Sequence, residues 1–292
     1  MRKKLKPAVI PVAGYGTRFL PFTKAVPKPM LPILNIPAIQ IIAKEAVDSG
    51  IEEIIFVVGQ KKEIIENHFR PAPELERVLE KGGKEEFLKA IKLPESFNVR
   101  FVEQVRQLGS ADAVMAAKDY IKDKPFAVMF GDDVMYNEGR PVIGQLADVY
   151  EKTGKTVIGV KRVPIKDVPK YASVEYSSAD GREFEVTCIT EKPPIEKVKS
   201  DLAPLGRYVL APSIFSILEN LKPTLNNEYQ LTDALDQEAR KNGAYAYEFI
   251  GTRYDMGDRL GFLKANVEFG LRDEKLGEDF KKYLTELLKT QS

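Results

Sequence analysis

The stretch Ala8–Pro37, AVIPVAGYGTRFLPFTKAVPKPMLPILNIP, decides how the rest of the chain is read. It opens on Ala8-Val9-Ile10-Pro11-Val12, a short apolar run that predicts a buried strand. A glycine turn follows at once, Ala13-Gly14-Tyr15-Gly16-Thr17-Arg18. Glycine lets the backbone come close to a ligand and take φ values that other residues avoid. Successive N–H groups in such a turn form a concave anion site. Arg18 adds a planar fork of donors suited to phosphate oxygens. Lys28 stands between Pro27 and Pro29, which restrict the backbone and carry its ammonium on a stiff segment. A strand, a glycine turn, an arginine and a braced lysine point to a triphosphate or pyrophosphate site. The turn lacks the third glycine of a dinucleotide fingerprint and the Gly-Lys-Ser/Thr of a P-loop. A Gly-x-Gly by itself is usually only a tight turn, so the reading rests on the whole string.

Outward from this stretch, strands and helices alternate. Residues 37–49 read as a helix with Ile39, Ile42, Ala43, Ala46 and Val47 on one face and Gly50 at its end. Strands are predicted at 54–58, 98–103 and 126–130, and helices at 61–69 and 110–120, the latter with Ser110 as N-cap. Residues 74–92 read as a charged helical excursion broken at Gly82-Gly83. This alternation predicts an α/β fold with an open, mostly parallel sheet, whose ligands bind at the carboxyl ends of strands. The glycine loop, Gln104 and Asp132 all fall at such ends. From Tyr171 to Thr190 apolar and polar residues alternate around Asp180-Gly181, which predicts an antiparallel hairpin. The last segment, with Leu276, Phe280, Tyr283, Leu284, Leu287 and Leu288, predicts an amphipathic helix that packs on its own core or on a neighbouring subunit.

Composition limits the chemistry. The 292 residues are 43% hydrophobic, enough for a sizeable core, and 44 basic against 43 acidic residues leave a net charge of +1. A nucleic-acid partner would call for a basic excess or stripe, so none is expected. No apolar run approaches the ~18 residues of a membrane span, and no apolar segment follows Arg2-Lys3-Lys4 as in a signal peptide. The single cysteine, Cys188, excludes an intramolecular disulfide and fits a reducing cytoplasm. The single histidine, His68, rules out a multi-histidine metal site. Chemistry is left to carboxylates, Lys, Arg, backbone amides and a hard metal ion.

Asp132 and Asp133 follow a predicted buried strand directly. Asp132 is the better candidate to hold a cation such as Mg²⁺, which takes one or two carboxylates with phosphate oxygens and water. Asp133 could equally cap the turn. Asp255, in Gly251-Thr252-Arg253-Tyr254-Asp255-Met256-Gly257, offers a second carboxylate, although spacing alone does not pair the two. In Glu191-Lys192-Pro193 a proline again restricts the chain beside a lysine. Braced lysines, an arginine and carboxylates are what phosphoryl chemistry needs, because catalysis there is mostly positioning and charge stabilisation.

Gly14-Tyr15-Gly16-Thr17-Arg18 followed by Pro27-Lys28-Pro29-Met30-Leu31-Pro32 resembles the signature of the sugar-1-phosphate nucleotidylyltransferases. Further segments extend the likeness over nearly the full chain. They include Glu103-Gln104, Gly131-Asp132-Asp133, Glu191-Lys192-Pro193, Gly206-Arg207-Tyr208, Tyr229-Gln230-Leu231-Thr232-Asp233-Ala234 and Arg253-Tyr254-Asp255-Met256-Gly257. The run Gly261–Leu271 with Leu276-Gly277-Glu278-Asp279-Phe280 is most similar to the bacterial glucose-1-phosphate uridylyltransferases, or UDP-glucose pyrophosphorylases.

That resemblance implies a Rossmann-like nucleotidyltransferase core, a mixed, mostly parallel central sheet and a smaller sugar-binding part with antiparallel strands. It implies one domain over 1–292, with a nucleotide-binding core at 1–140, a mainly sugar-phosphate-binding part at 141–257 and C-terminal helices at 258–292. The implied reaction is Mg²⁺-dependent transfer of UMP from UTP to α-D-glucose 1-phosphate, giving UDP-glucose and pyrophosphate. A thymidylyl- or adenylyltransferase and a non-catalytic nucleotide-sugar binder are the alternatives. Ala13, Gly14, Gly16 and Thr17 would hold the nucleotide, with Arg18 on the departing pyrophosphate and Lys28 at the α-phosphate. Gln104 and Gly109 would read the base, and Asp132 and Asp255 would hold Mg²⁺, Asp132 also bordering the nucleotide. Glu191 would bind sugar hydroxyls and Lys192 the sugar phosphate, while Tyr171, Ala172 and Gly206 line the sugar pocket. A cytoplasmic homo-oligomer, dimer or tetramer, is implied. Three positions depart from the usual family residues: Ser110-Ala111-Asp112 where a histidine is common, Ala172 for a glycine and Pro29 for an acidic residue.

Overall fold

Val9, Ile10, Ile55, Phe56, Val57 and Val128 are almost wholly buried, so their strands must be covered on both faces. Near-continuous apolar strands of this kind belong to sheets sandwiched between helices. The computed structural model describes residues 5–59, 61–224 and 227–290. In it, β1 (Pro7–Pro11), β4 (Glu53–Val58), β5 (Val99–Glu103) and β6 (Phe126–Met129) form a parallel block in the order β5-β4-β1-β6. The sheet continues through β11 (Leu202–Leu210), β8 (Thr156–Arg162), β12 (Ala244–Glu248), β10 (Glu183–Glu191) and β9 (Ala172–Asp180). β11 runs antiparallel to β6 and β8, and the β9–β10 hairpin closes the far edge. The antiparallel strands therefore extend the same nine-stranded sheet.

The expected helices at 37–49, 61–69 and 110–120 fall on α1 (Ala38–Asp48), α2 (Lys62–His68) and α5 (Ser110–Ala116) with α6 (Lys118–Ile121). The charged excursion forms α3 (Pro73–Lys81) and α4 (Glu85–Glu95), separated near Gly82 and Gly83 as the two glycines suggest. Ser110 is not the N-cap. Gly109 takes that position, and the Ser110 hydroxyl accepts from Leu231 N at 2.9 Å. Tertiary packing supplies the partner that local capping was expected to use.

Two short antiparallel pairs have no counterpart in the sequence pattern: β2 (Pro32–Ile33) with β3 (Ile36–Pro37), and β7 (Asp133–Tyr136) with β13 (Thr252–Asp255). In the second, Asp255 lies opposite Asp133. Two acidic residues far apart in sequence thus meet at the carboxyl end of β6.

α7 (Val142–Thr153) with α1 covers one sheet face, and α5, α8 (Ile214–Leu218) and α9 (Leu231–Asn242) cover the other. Under this core Arg207 of β11 is fully buried, its guanidinium on Glu45 at 2.7 Å and on the carbonyls of Asp133 at 2.7 Å and Gly206 at 3.3 Å. The buried cation thereby ties α1 and β11 to the loop that carries Asp132. A buried ion pair is retained only with good geometry and full hydrogen bonding, both of which it has here.

α10 (Arg259–Arg272) and α11 (Gly277–Thr290) form a hairpin in which Phe280 packs on Gly270, where a Cβ would approach its ring to 2.9 Å. The last helix covers its apolar side only in part, since Tyr283 and Leu288 remain exposed. No helix of the described residues is long and apolar enough to cross a membrane.

Candidate active site

β1 delivers the chain into the glycine loop at the carboxyl end of the sheet, where Val12 N still bonds Val57 O at 2.8 Å. Gly16 is left-handed, with φ 65°. A Cβ there would lie 2.9 Å from the Lys28 Cβ and 3.0 Å from Thr23 Cγ2. Thr23 Oγ1 also donates to Gly16 O at 2.8 Å. The glycine is therefore needed so that the loop can lie directly on the stem of Lys28. By contrast, nothing lies within 4 Å of a Cβ built on Gly14, so that backbone faces open space.

A cavity of about 430 Å³ opens over this loop. Ala13, Gly14, Lys28, Gln104, Gly109 and Asp132, all singled out in the sequence, line it together with Tyr15, Gln107 and Phe130. Thr17 instead lines a neighbouring hollow of about 260 Å³ beside Thr23, Lys24 and Lys61. Arg18 lines neither hollow, and its Nη2 lies beside Gly257.

Lys28 Nζ meets Asp132 Oδ2 at 2.6 Å. Desolvation pushes the Asp132 carboxyl up, but Lys28 and Arg253 outweigh it and hold the group below the usual carboxylate range. It is ionised at neutral pH, and at 31% side-chain exposure it is open to a ligand. Lys28 has three donors, so its contact with Asp132 leaves others for phosphate oxygens.

Asp132 and Asp255 do converge. A methyl group placed on Gly257 would sit 2.9 Å from Asp255 Oδ1, 3.1 Å from Asp132 Oδ2 and 3.2 Å from Arg18 Nη2. Two carboxylate oxygens and a guanidinium therefore border one small space, which only a glycine leaves open. Met256 N donates to Asp132 O at 2.7 Å, tying the two segments together. Among the described residues no group of three or more His, Cys, Asp or Glu is arranged to hold a metal ion. Two hard oxygens suit Mg²⁺, which fills its remaining positions with phosphate oxygens and water.

The sequence alone assigns no role to Arg253 and leaves that of Asp133 open. Arg253 Nε donates to Asp133 Oδ1 at 2.6 Å, and its Nη2 donates to Asp255 Oδ2 at 3.2 Å. Burial pushes the Asp133 carboxyl up, to about 6, against the pull of Arg253. Gly206, expected at the sugar, carries its missing side chain over this group: a Cβ would stand 2.0 Å from Asp133 Oδ2. Arg207, also unassigned, had one signal in the sequence, a charge in the middle of an apolar strand.

The residues implied for the sugar lie beyond the main cavity. Arg253 stacks over the Tyr171 ring at 5.5 Å, and Tyr171 O accepts from Lys192 N at 2.8 Å. Lys192 has φ 40°, a conformation that non-glycine residues rarely keep without surrounding support. Glu191 lies opposite buried Ala172 in the β9–β10 hairpin, and its Oε2 accepts from Thr232 Oγ1 at 2.7 Å. Tyr171, Ala172, Glu191 and Lys192 thus form a second group, linked to the carboxylates through Arg253.

An open α/β sheet with a glycine loop, a paired lysine and two converging carboxylates at its carboxyl edge defines a nucleotide-binding protein equipped for phosphoryl chemistry. The nucleotidyl transferase family model matches residues 7–270, and the chain belongs to that family. It is 46% identical over 286 residues to a UTP–glucose-1-phosphate uridylyltransferase of Staphylococcus epidermidis, covering 98% of this chain and 99% of that one. A UTP-bound UGPase from Acinetobacter baumannii superposes with TM-score 0.89 at 37% identity, covering 97% of this chain and 99% of the other. A UDP-glucose pyrophosphorylase complexed with UDP-glucose superposes with TM-score 0.85 at 35% identity, covering 92% and 100%.

Proposed function

We propose that this chain transfers UMP from UTP to α-D-glucose 1-phosphate, releasing pyrophosphate and forming UDP-glucose. The observation that carries the reading is a single cavity bordered by the glycine loop, Lys28, Gln104, Gly109 and Asp132, with an Asp255 oxygen converging on that of Asp132 beside Gly257. Relatives named for this activity, one bound to UTP and one to UDP-glucose, support it.

A phosphate oxygen of the sugar phosphate attacks the α-phosphorus of UTP, and the bond to the β-phosphate oxygen breaks. The nucleophile is already an anion at neutral pH, so no general base is needed, in keeping with a chain that has one histidine. The protein must hold anions together and stabilise the charge that shifts to the leaving group. Backbone N–H groups from Ala13 to Thr17 receive the phosphates, Arg18 the departing pyrophosphate and Lys28 the α-phosphate. Asp132 and Asp255 would hold Mg²⁺, which would supply further neutralisation of phosphate oxygens. Tyr171, Ala172, Glu191, Lys192 and Gly206 serve the sugar phosphate, with Arg253 fixing the distance between the two groups. A homo-oligomer fits the apolar side chains left exposed on α10 and α11, Leu263 and Tyr283 among them.

The test is kcat/KM for each nucleotide with glucose 1-phosphate and Mg²⁺. UTP should lead, with TTP within about two decades: the two differ by a ring methyl and the 2′-hydroxyl, and a methyl group in a pocket is worth only roughly 1–3 kcal/mol. CTP and purines should fall far behind: a purine does not fit a pyrimidine slot, and cytosine leaves buried groups unpaired. A preference for ATP would mean that Gly109-Ser110-Ala111-Asp112 reports adenylyl transfer.

A further inference from the structure

Gln104 is 7% exposed, and its backbone is fixed by the bond from its N–H to Val58 O at 2.8 Å. Its Nε2 donates to Gly109 O at 3.0 Å and to Asp112 Oδ2 at 2.8 Å. A side-chain amide nitrogen has two hydrogens, and both are therefore committed. Oε1 accepts from no described residue. Yet every buried side-chain polar atom of the described residues has a partner, so Oε1 must keep open surface. The open space that Gln104 borders is the nucleotide cavity.

An amide can exchange its oxygen and nitrogen by turning about its last torsion, and only its neighbours decide between the two. Here the turned form would set Oε1 against a carbonyl and a carboxylate, two acceptors. Neither can move aside easily. Asp112 Oδ2 also accepts from Leu108 N at 3.3 Å. Gly109, at φ 104°, is seated against Tyr229, where a Cβ would lie 2.6 Å from the tyrosine carbonyl oxygen.

We propose that Asp112 is a positioning residue for base selection, holding the Gln104 amide with its oxygen toward the nucleotide, so that the site takes a base with an N–H at ring position 3. The proposal rests on the uridylyl reading and adds the atom offered to the base and the residue that fixes it. Uracil and thymine carry that N–H, whereas cytosine presents a lone pair there, which Oε1 repels. Without Asp112 only the Gly109 carbonyl opposes rotation, and a turned amide offers cytosine a donor.

The test compares UTP and CTP kcat/KM, with glucose 1-phosphate and Mg²⁺, for the full chain, Asp112→Ala and Asp112→Asn. Asp112→Ala should lower the UTP-to-CTP ratio at least tenfold, chiefly through a higher UTP KM. Asp112→Asn should keep the ratio within threefold, because the Leu108 N–H holds its side-chain oxygen where the carboxylate oxygen was. An unchanged ratio in Asp112→Ala, or an equal loss in Asp112→Asn, overturns the proposal while leaving the uridylyl reading standing. A native chain that prefers CTP or ATP to UTP overturns both. Should Asp112→Ala fail to fold, the Gln104 side-chain amide in the native protein decides by NMR. Two exchange-protected protons are expected, and rapid exchange of either refutes the assignment.

Discussion

Lys28→Ala should lower kcat by about 10²–10³-fold while changing the KM for UTP only a few-fold, since removing one preorganised donor from a developing charge costs about that much. The ammonium is carried by a short turn between two prolines, its stem lies against Gly16, and its tip is 2.6 Å from Asp132. It is in place before substrate arrives, and a group whose contact strengthens only in the transition state raises kcat rather than tightening ground-state binding. The electrostatics add a second effect. With Lys28 gone, burial works on Asp132 with less opposition, so its carboxyl rises. Because the site needs that carboxylate ionised, the acid limb of the pH–activity profile should move to higher pH. Normal turnover with only a raised KM, in steady-state kinetics, would contradict the role.

Asp132→Asn and Asp255→Asn should each abolish most activity, at least about a hundredfold, with the fold kept. Each should also raise the Mg²⁺ concentration needed for half activity, because one of the two carboxylate charges bordering that space is lost. Asp255 is the more telling change. Its Oδ1 accepts from Gly257 N at 2.8 Å and its Oδ2 from Arg253, contacts that an asparagine can satisfy only in part. Circular dichroism separates loss of fold from loss of metal response. Wild-type behaviour of Asp255→Asn at limiting Mg²⁺ would sink the paired-carboxylate site.

Much of this site could be read along the chain, because its parts are local. The glycine turn follows β1, Gln104 follows β5, and Asp132 comes three residues after the end of β6. A strand period plus a turn is enough to place each at the carboxyl edge. What could not be read depends on pairings across long sequence separations. Asp133 opposite Asp255 needs the register of a four-residue ribbon, and no hydrophobic period announces strands that short. The Arg253 fork between two carboxylates follows from that register. Arg207 beneath the same loop needs Glu45 from a helix 162 residues away. Ser110 shows the same limit in a helix cap. Its sequence context favours local capping, but the chain at Tyr229–Leu231 takes the N–H of the next residue, Ala111, and the Ser110 hydroxyl instead. The role of Asp112 is also invisible in one dimension, where it reads as an acidic residue in the first turn of a helix.

The most direct measurement follows products from UTP, α-D-glucose 1-phosphate and Mg²⁺ with the full chain. UDP-glucose and pyrophosphate should appear in equal amounts, and removing any one of the three components should stop both. Tight binding of UTP or UDP-glucose with no pyrophosphate released under the same conditions would make the chain a binder on a transferase fold, and would contradict the catalytic roles of Lys28, Asp132 and Asp255.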